Sequence, residues 1–190
     1  MTDSLLNLSN EFLGVVVDTY FFYLDGFKGL ELMHADLEQK QRASQSNDSD
    51  LVPYIKCHNE PYEEHGLLVS TVGQVKKRNA EGGRNYELLG NLCLVAIYSW
   101  WEDRYRKEFA TCLRKEKNEI KSSVMSDIRI LRHAIIHNNG IATEDCEKCE
   151  LLKWFKRGDR IFIMFEQFED IFSEIQKFLM AFYKQSLLIG

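Results

Sequence analysis

Apolar residues recur at three- and four-residue spacing over most of this chain, which is the pattern of helices that each bury one side. The two prolines, Pro53 and Pro61, lie close together, so long stretches elsewhere are free to be helical. The first stretch could be one long helix or two abutting helices, because glycines loosen it but no proline ends it. The spacing predicts helices over residues 4–42, 67–77, 86–115, 118–139 and 165–187.

Two stretches break the helical pattern. Residues 43–62 begin with the small, polar run ASQSNDSD and continue past both prolines, so we expect an exposed, mobile connection there. Residues 150–164 contain a Gly-Asp turn followed by a β-branched and aromatic run, which predicts a small β-hairpin. The expected fold is therefore all-α. It is an antiparallel helical bundle with a hairpin before the C-terminal helix, in a single domain over residues 1–190.

Composition and charge narrow the class of protein. A hydrophobic content of 45% supports a real core and disfavours global disorder. The net charge of −5 argues against a protein that coats nucleic acid, but it leaves room for a small cationic site. The chain shows neither a signal peptide nor a long uncharged apolar run, and its five cysteines are an odd number. We therefore expect a cytoplasmic protein with reduced thiols and no membrane partner.

The predicted helix over residues 118–139 has two unlike faces. Its N-cap is expected at Asn118, and Gly140 is expected to end it. At about 100° per residue, Arg129, His133 and His137 lie within about 140° of Arg132, while the aliphatic residues lie on the other side. An ordinary surface helix carries mixed charges on its solvent face. This cationic face would suit an anionic ligand, and its histidines could transfer protons near neutral pH.

The motif RHAIIH, residues 132–137, matches the pattern R-(N/D/H)-x-x-x-H, and the following HNNG is similar to many bacterial members of the HEPN superfamily. Residues 101–106, WEDRYR, resemble the preceding helix of small bacterial HEPN proteins. The resemblance covers roughly residues 86–140. It implies a compact helical bundle. Many members are metal-independent endoribonucleases of toxin–antitoxin, phage-defence and RNA-processing systems.

The resemblance also implies a set of roles. His137 would be the general acid or base and Arg132 the phosphate clamp, with His133 as an orienting or second proton-transfer group. Asn138 would bind substrate or hold the imidazole. Two further residues, Arg129 and Glu102, would support the cationic site.

Family nucleases act as homodimers, which bring two motifs to one cleft. Residues five apart lie about 140° apart on a helix, so Arg132 and His137 converge most easily in a groove between two copies. The expected partners are RNA and a second copy of the chain. An antitoxin or a nucleotidyltransferase is a further possible partner. No cofactor and no metal are expected for catalysis.

Three alternatives stay open at the level of sequence. The cationic face could be an ordinary solvated helix face with a histidine near its C-terminal end. The protein could be an inactive HEPN-like module that binds a nucleotide or a protein partner. Cys146 and Cys149 could be half of a zinc site completed by Cys57 and His58, whereas His133 and His137 lack a third ligand.

Overall fold

The computed structural model describes residues 2–53 and 69–189, and most of these residues are helical. The all-α class is confirmed. None of the described helices is both long enough and apolar enough to cross a bilayer. The helices are α1 (Thr2–Arg42), α2 (Val72–Asn79), α3 (Arg84–Trp100), α4 (Arg106–Leu113), α5 (Ser123–His137) and α6 (Phe165–Ile189).

Short turns of other helical types connect these helices. A π-helical turn, Trp101–Tyr105, continues directly from α3 into α4, where the sequence predicts one uninterrupted helix. Two 3-10 turns, Lys117–Glu119 and Glu144–Lys148, precede and follow α5. The π turn places an extra residue in one helical turn, and such turns are frequent at functional sites.

The chain divides into two compact units, and helices α1 and α3 each contribute to both. The larger unit comprises Met1–Leu24 and Leu89–Gly190. Its core is largely aromatic. The ring of Phe12 lies 4.8 Å from that of Tyr105, and the ring of Phe168 lies 5.2 Å from that of Tyr20.

The smaller unit, Asp25–Leu88, contains the two-stranded sheet found in the described residues. Strand β1 (Leu51–Pro53) pairs antiparallel with β2 (Val69–Thr71). The prediction of an irregular connection over residues 43–62 is therefore wrong at β1, where backbone pairing with β2 orders the chain. Residues 54–62 of that predicted connection lie outside the described residues, as do residues 67 and 68 of the helix predicted over 67–77.

The β-hairpin predicted over residues 150–164 is wrong. Its backbone finds other partners: the amide of Ile161 donates to the carbonyl oxygen of Gly140, and the Asn91 side chain donates to the carbonyl oxygen of Ile161 at 2.9 Å. A single bridge joins Ile141 to Arg160. The apolar run in this segment is buried against the turn after α5 and against α3, so it needs no partner strand of its own.

Both ends of α5 have identifiable caps. The N-cap is Ser122, whose hydroxyl accepts the Met125 amide, so the predicted cap at Asn118 is wrong; Asn118 lies in the preceding 3-10 turn. At the C-terminal end, Asn139 and Gly140 both have positive φ values, and the Gly140 amide donates to Ala134. The helix ends at His137 with Asn138 as its C-cap, so the predicted stop at Gly140 is two residues late, although Gly140 does take the left-handed backbone that glycine tolerates.

Candidate functional site

Helix α5 buries one face and exposes the other, as its sequence predicts. Val124, Ile128 and Leu131 are essentially inaccessible to solvent. Arg129 and His133 are exposed on the other side. The cationic face therefore exists in the folded chain and faces away from the core.

Arg132 lies at the edge of the buried region. The side chain is only partly exposed, and its Nε atom is buried without a hydrogen-bond partner among the described residues. The guanidinium carbon lies 5.9 Å from the centre of the Tyr98 ring, which holds it in a cation–π contact. A buried guanidinium N–H without an acceptor is unfavourable, so this N–H is an unsatisfied donor of the folded chain.

The arginines of this face are unpaired in the described residues, although Asp145, whose pKa is lowered first by Lys148, also interacts with His133 and Arg129. Neither Arg129 nor Arg132 forms a salt bridge with any residue of the described chain. By contrast, Arg106 pairs with Glu102 at 3.0 Å, and Arg104 pairs with Glu108 at 2.9 Å. The positive charge on α5 is thus available to an anionic ligand.

A cavity of about 360 Å³ lies in front of Arg132, and we call it the site cavity. Its lining is mostly polar and comes from the end of α3, the π turn and α5. The lining residues are Tyr98, Ser99, Glu102, Asp103, Arg129, Arg132 and His133.

His137 does not line the site cavity. It is exposed one helical turn beyond His133, and the two imidazole rings are 4.8 Å apart and tilted by 44°. The chain therefore places Arg132 with His133 in one cavity and leaves His137 at its margin. Within one copy, the two residues predicted to be catalytic do not face the same enclosed space.

The two remaining supporting residues are engaged elsewhere. Burial alone would raise the pKa of Glu102, but hydrogen bonds from Lys117 and Arg106 outweigh it and lower that pKa. Glu102 lines the site cavity without pairing with Arg129 or Arg132. The side-chain amide of Asn138 donates to the carbonyl oxygen of Ile141 at 2.7 Å, so this residue orders the turn after α5.

Tyr98 belongs to the site although the motif does not indicate it. The tyrosine is buried, and its ring lines the site cavity beneath Arg132. Burial and the nearby Glu102 carboxylate raise its pKa, and the cationic side chains of α5 oppose this rise. Its phenol is therefore neutral near neutral pH. The apolar spacing of α3 alone assigns Tyr98 to packing.

Asp127 is a second residue that the motif does not indicate. Its buried carboxylate accepts the backbone amides of Glu150, Leu151 and Leu152 at 3.0, 2.7 and 2.9 Å. Three charge-assisted bonds attach the segment after the second 3-10 turn to the cationic helix. This segment is more than 20 residues away in sequence, so local spacing gives no signal for the contact.

The cysteines offer little to a metal ion in the described chain. Cys146 and Cys149 are both buried, and burial raises the pKa of Cys149 to about 12. No group of three His, Cys, Asp or Glu side chains in residues 2–53 and 69–189 is placed to hold a metal. Cys57 and His58, which would complete the zinc site, lie outside the described residues.

Comparisons with known proteins bring no relative to this chain. No protein-family model, no curated protein and no solved structure matches it. The relation to the HEPN superfamily therefore depends on residues 101–106 and 126–140 and stays a prediction.

Proposed function

We propose that the protein is a HEPN-type endoribonuclease that cleaves RNA without a metal ion, at a site completed by a second copy of the chain. The observation that carries the proposal is the state of Arg132. Its Nε is buried and unpartnered in the described chain, and His133 lines the same cavity. A phosphate oxygen is an acceptor that a guanidinium binds well.

In the proposed reaction, one phosphorus–oxygen bond forms and another breaks. The 2′-OH of the ribose loses its proton to a neutral imidazole as its oxygen bonds to phosphorus. The bond from phosphorus to the 5′-oxygen breaks as a protonated imidazole donates a proton to that oxygen. Arg132 stabilises the charge on the non-bridging oxygens through parallel N–H bonds. The products are a 2′,3′-cyclic phosphate and a free 5′-OH.

A second copy supplies what one chain lacks. Because His137 is outside the site cavity of its own chain, it is free to reach a phosphate held by the partner's Arg132. In a dimer with α5 near the two-fold axis, each cleft receives an arginine and a histidine from different copies. Together with His133, which lines the site cavity with Arg132, this arrangement also provides an acid and a base for the phosphate.

Substitution of the two residues tests the proposed function. We expect Arg132→Ala and His137→Ala each to lower the cleavage rate of single-stranded RNA by about 10²–10⁴-fold. Excess chelator should leave the wild-type rate unchanged, because no step uses a metal. The matched controls are Arg157→Ala and His34→Ala, which change the same residue types outside the site cavity. Equal losses in controls and site variants would contradict the proposed roles.

The biological role proposed with this activity is that of a toxin or a phage-defence nuclease in the cytoplasm. An antitoxin or a nucleotidyltransferase is the kind of partner that would restrain it. Expression of the wild type should then inhibit growth, and Arg132→Ala should relieve the inhibition. A toxic Arg132→Ala variant would count against this role.

A second candidate is a non-catalytic HEPN-like module that binds a nucleotide or a protein partner. The position of His137 outside the site cavity favours it, because one chain alone then offers an anion site without a matched acid and base. This candidate predicts that purified wild type binds a nucleotide and leaves total RNA and tRNA intact. The dependence of that binding on Arg132 would separate it from an ordinary solvated helix face.

A further inference from the structure

A second polar cavity adjoins the site cavity, and we call it the flanking cavity. It measures about 760 Å³ and lies at the N-terminal end of α5. Tyr98, Glu102 and Arg129 line both cavities, so the two adjoin along these side chains. Cavities of about 300–1,000 Å³ are typical of sites that bind small molecules or parts of larger ligands.

The carboxylates around the flanking cavity are already engaged by the protein. Glu102 pairs with both Arg106 and Lys117. Asp127 accepts three backbone amides, and Glu150 accepts the hydroxyl of Ser123 at 2.7 Å. Glu102 is thus paired with cations and Asp127 is held by amides, whereas Glu150 keeps its negative charge at the edge of the cavity.

Some cations and hydroxyls of the flanking cavity have fewer partners within the described residues. Lys121 and Arg129 line it and form no salt bridge with residues of the described chain. The hydroxyl-bearing side chain of Ser126 also lines the cavity. The positive end of the α5 dipole adds to the same field. Cations with adjacent hydroxyls suit a phosphate and a ribose.

We propose that the flanking cavity binds the nucleotide next to the scissile phosphate, so that the substrate is single-stranded RNA laid along α5. This inference rests on the proposed function, which puts the scissile phosphate at Arg132. From Arg132 to Ser126 the helix rises about 9 Å, which leaves room for a neighbouring nucleotide. A recess of this size accommodates about one unpaired nucleotide, and unpaired strands are the usual targets of pocket recognition.

The test measures binding of an RNA that cannot be cut. The probe is a fluorescein-labelled tetranucleotide with 2′-O-methyl groups, which lacks the attacking hydroxyl, and fluorescence anisotropy gives its affinity. Ser126→Trp fills the cavity and should weaken binding by at least about tenfold. Lys121→Ala should weaken binding and reduce the slope of log affinity against log salt by about 0.7, the loss of one phosphate contact.

Two matched controls place the same new side chains outside both cavities. They are Asn10→Trp on α1 and Lys107→Ala on α4, both at exposed positions. Each should bind the probe as the wild type does. Circular dichroism will check that each variant folds. If Ser126→Trp does not fold, Lys121→Ala still decides the test.

Several results would overturn the inference. These are wild-type affinity in both cavity variants, an equal loss in the controls, or displacement of the probe by an acidic peptide at the same concentration. Failure of the proposed function looks different. A wild type that binds the probe through the flanking cavity but cuts no RNA refutes the nuclease and keeps the nucleotide site. A wild type that cuts RNA while Ser126→Trp leaves KM unchanged refutes the flanking site alone.

Discussion

Asp127→Asn should destabilise the protein strongly, because one buried carboxylate holds three backbone amides. The side chain is 2% exposed, and its bonds to residues 150–152 measure 2.7–3.0 Å. A hydrogen bond to a charged group contributes about 1.5–3 kcal/mol and a neutral one about 0.5–1.5 kcal/mol, so neutralisation costs about 1 kcal/mol for each bond. The amide also turns an N–H₂ group towards a backbone donor and loses one bond.

The expected loss is about 3–4 kcal/mol. For a chain of this length, each kcal/mol lowers the melting temperature by about 2–4 °C, so Tm should fall by roughly 10 °C. Thermal unfolding followed by circular dichroism measures this change. The matched control is Asp145→Asn, an exposed carboxylate that pairs with Lys148 at 2.6 Å and should shift Tm by less than about 2 °C. If the two variants have the same Tm, the three bonds do not hold the segment and the reasoning is refuted.

Three further predictions concern packing, pH dependence and thiol chemistry. Gly90→Ala should lower the free energy of unfolding by about 3 kcal/mol, because a Cβ there would meet a backbone carbonyl oxygen at 2.0 Å. Gly14→Ala, with nothing within 4 Å, should stabilise α1 slightly. Similar Tm values for the two variants would refute this. Glu102→Gln should lower stability at neutral pH. The loss should shrink as pH falls through the lowered pKa of the Glu102 carboxyl, because a depressed pKa contributes stability only above it; a difference that does not shrink in acid would contradict the assignment. Iodoacetamide in mild alkali should modify the partly exposed Cys112 well before the buried Cys149, because burial raises the pKa of Cys149 to about 12. Equal modification rates in peptide mapping would show that Cys149 is not buried.

The faces of α5 could be predicted because burial within one helix follows from local spacing. Ile128 and Leu131 are buried, whereas Arg129 and His133 are exposed and Arg132 lies at the edge of the buried region. The left-handed backbone at Gly140, shortly after the end of α5, is equally local, since a positive φ favours glycine. These features need no knowledge of the rest of the chain.

The features that local spacing could not predict depend on distant partners. The apolar run around Ile161 has the composition of a strand. However, Asn91 of α3 hydrogen-bonds to its backbone and Gly90 lets it approach closely, so the run packs against α3 without a partner strand. Tyr98 is an ordinary core residue by spacing, and it becomes a site residue only because α5 brings Arg132 over its ring. Asp127 likewise acquires its role from amides far along the chain.

The separation of Arg132 and His137 into different surroundings has a direct consequence for function. One chain offers an arginine with an unsatisfied Nε in a cavity and a histidine outside it. In a solvated helix face, such a separation would have no effect on activity. In a composite site, it predicts that defects in the two residues can be complemented between copies.

Mixing the two inactive variants tests the central claim most directly. Arg132→Ala and His137→Ala protomers are unfolded together, refolded as mixed dimers, and assayed for RNA cleavage in the presence of chelator. In a composite site, a mixed dimer keeps one arginine and one histidine in the same cleft, so activity should recover to about a quarter of the wild-type rate. Mixed dimers that form but stay as inactive as either parent would contradict a site shared between two copies.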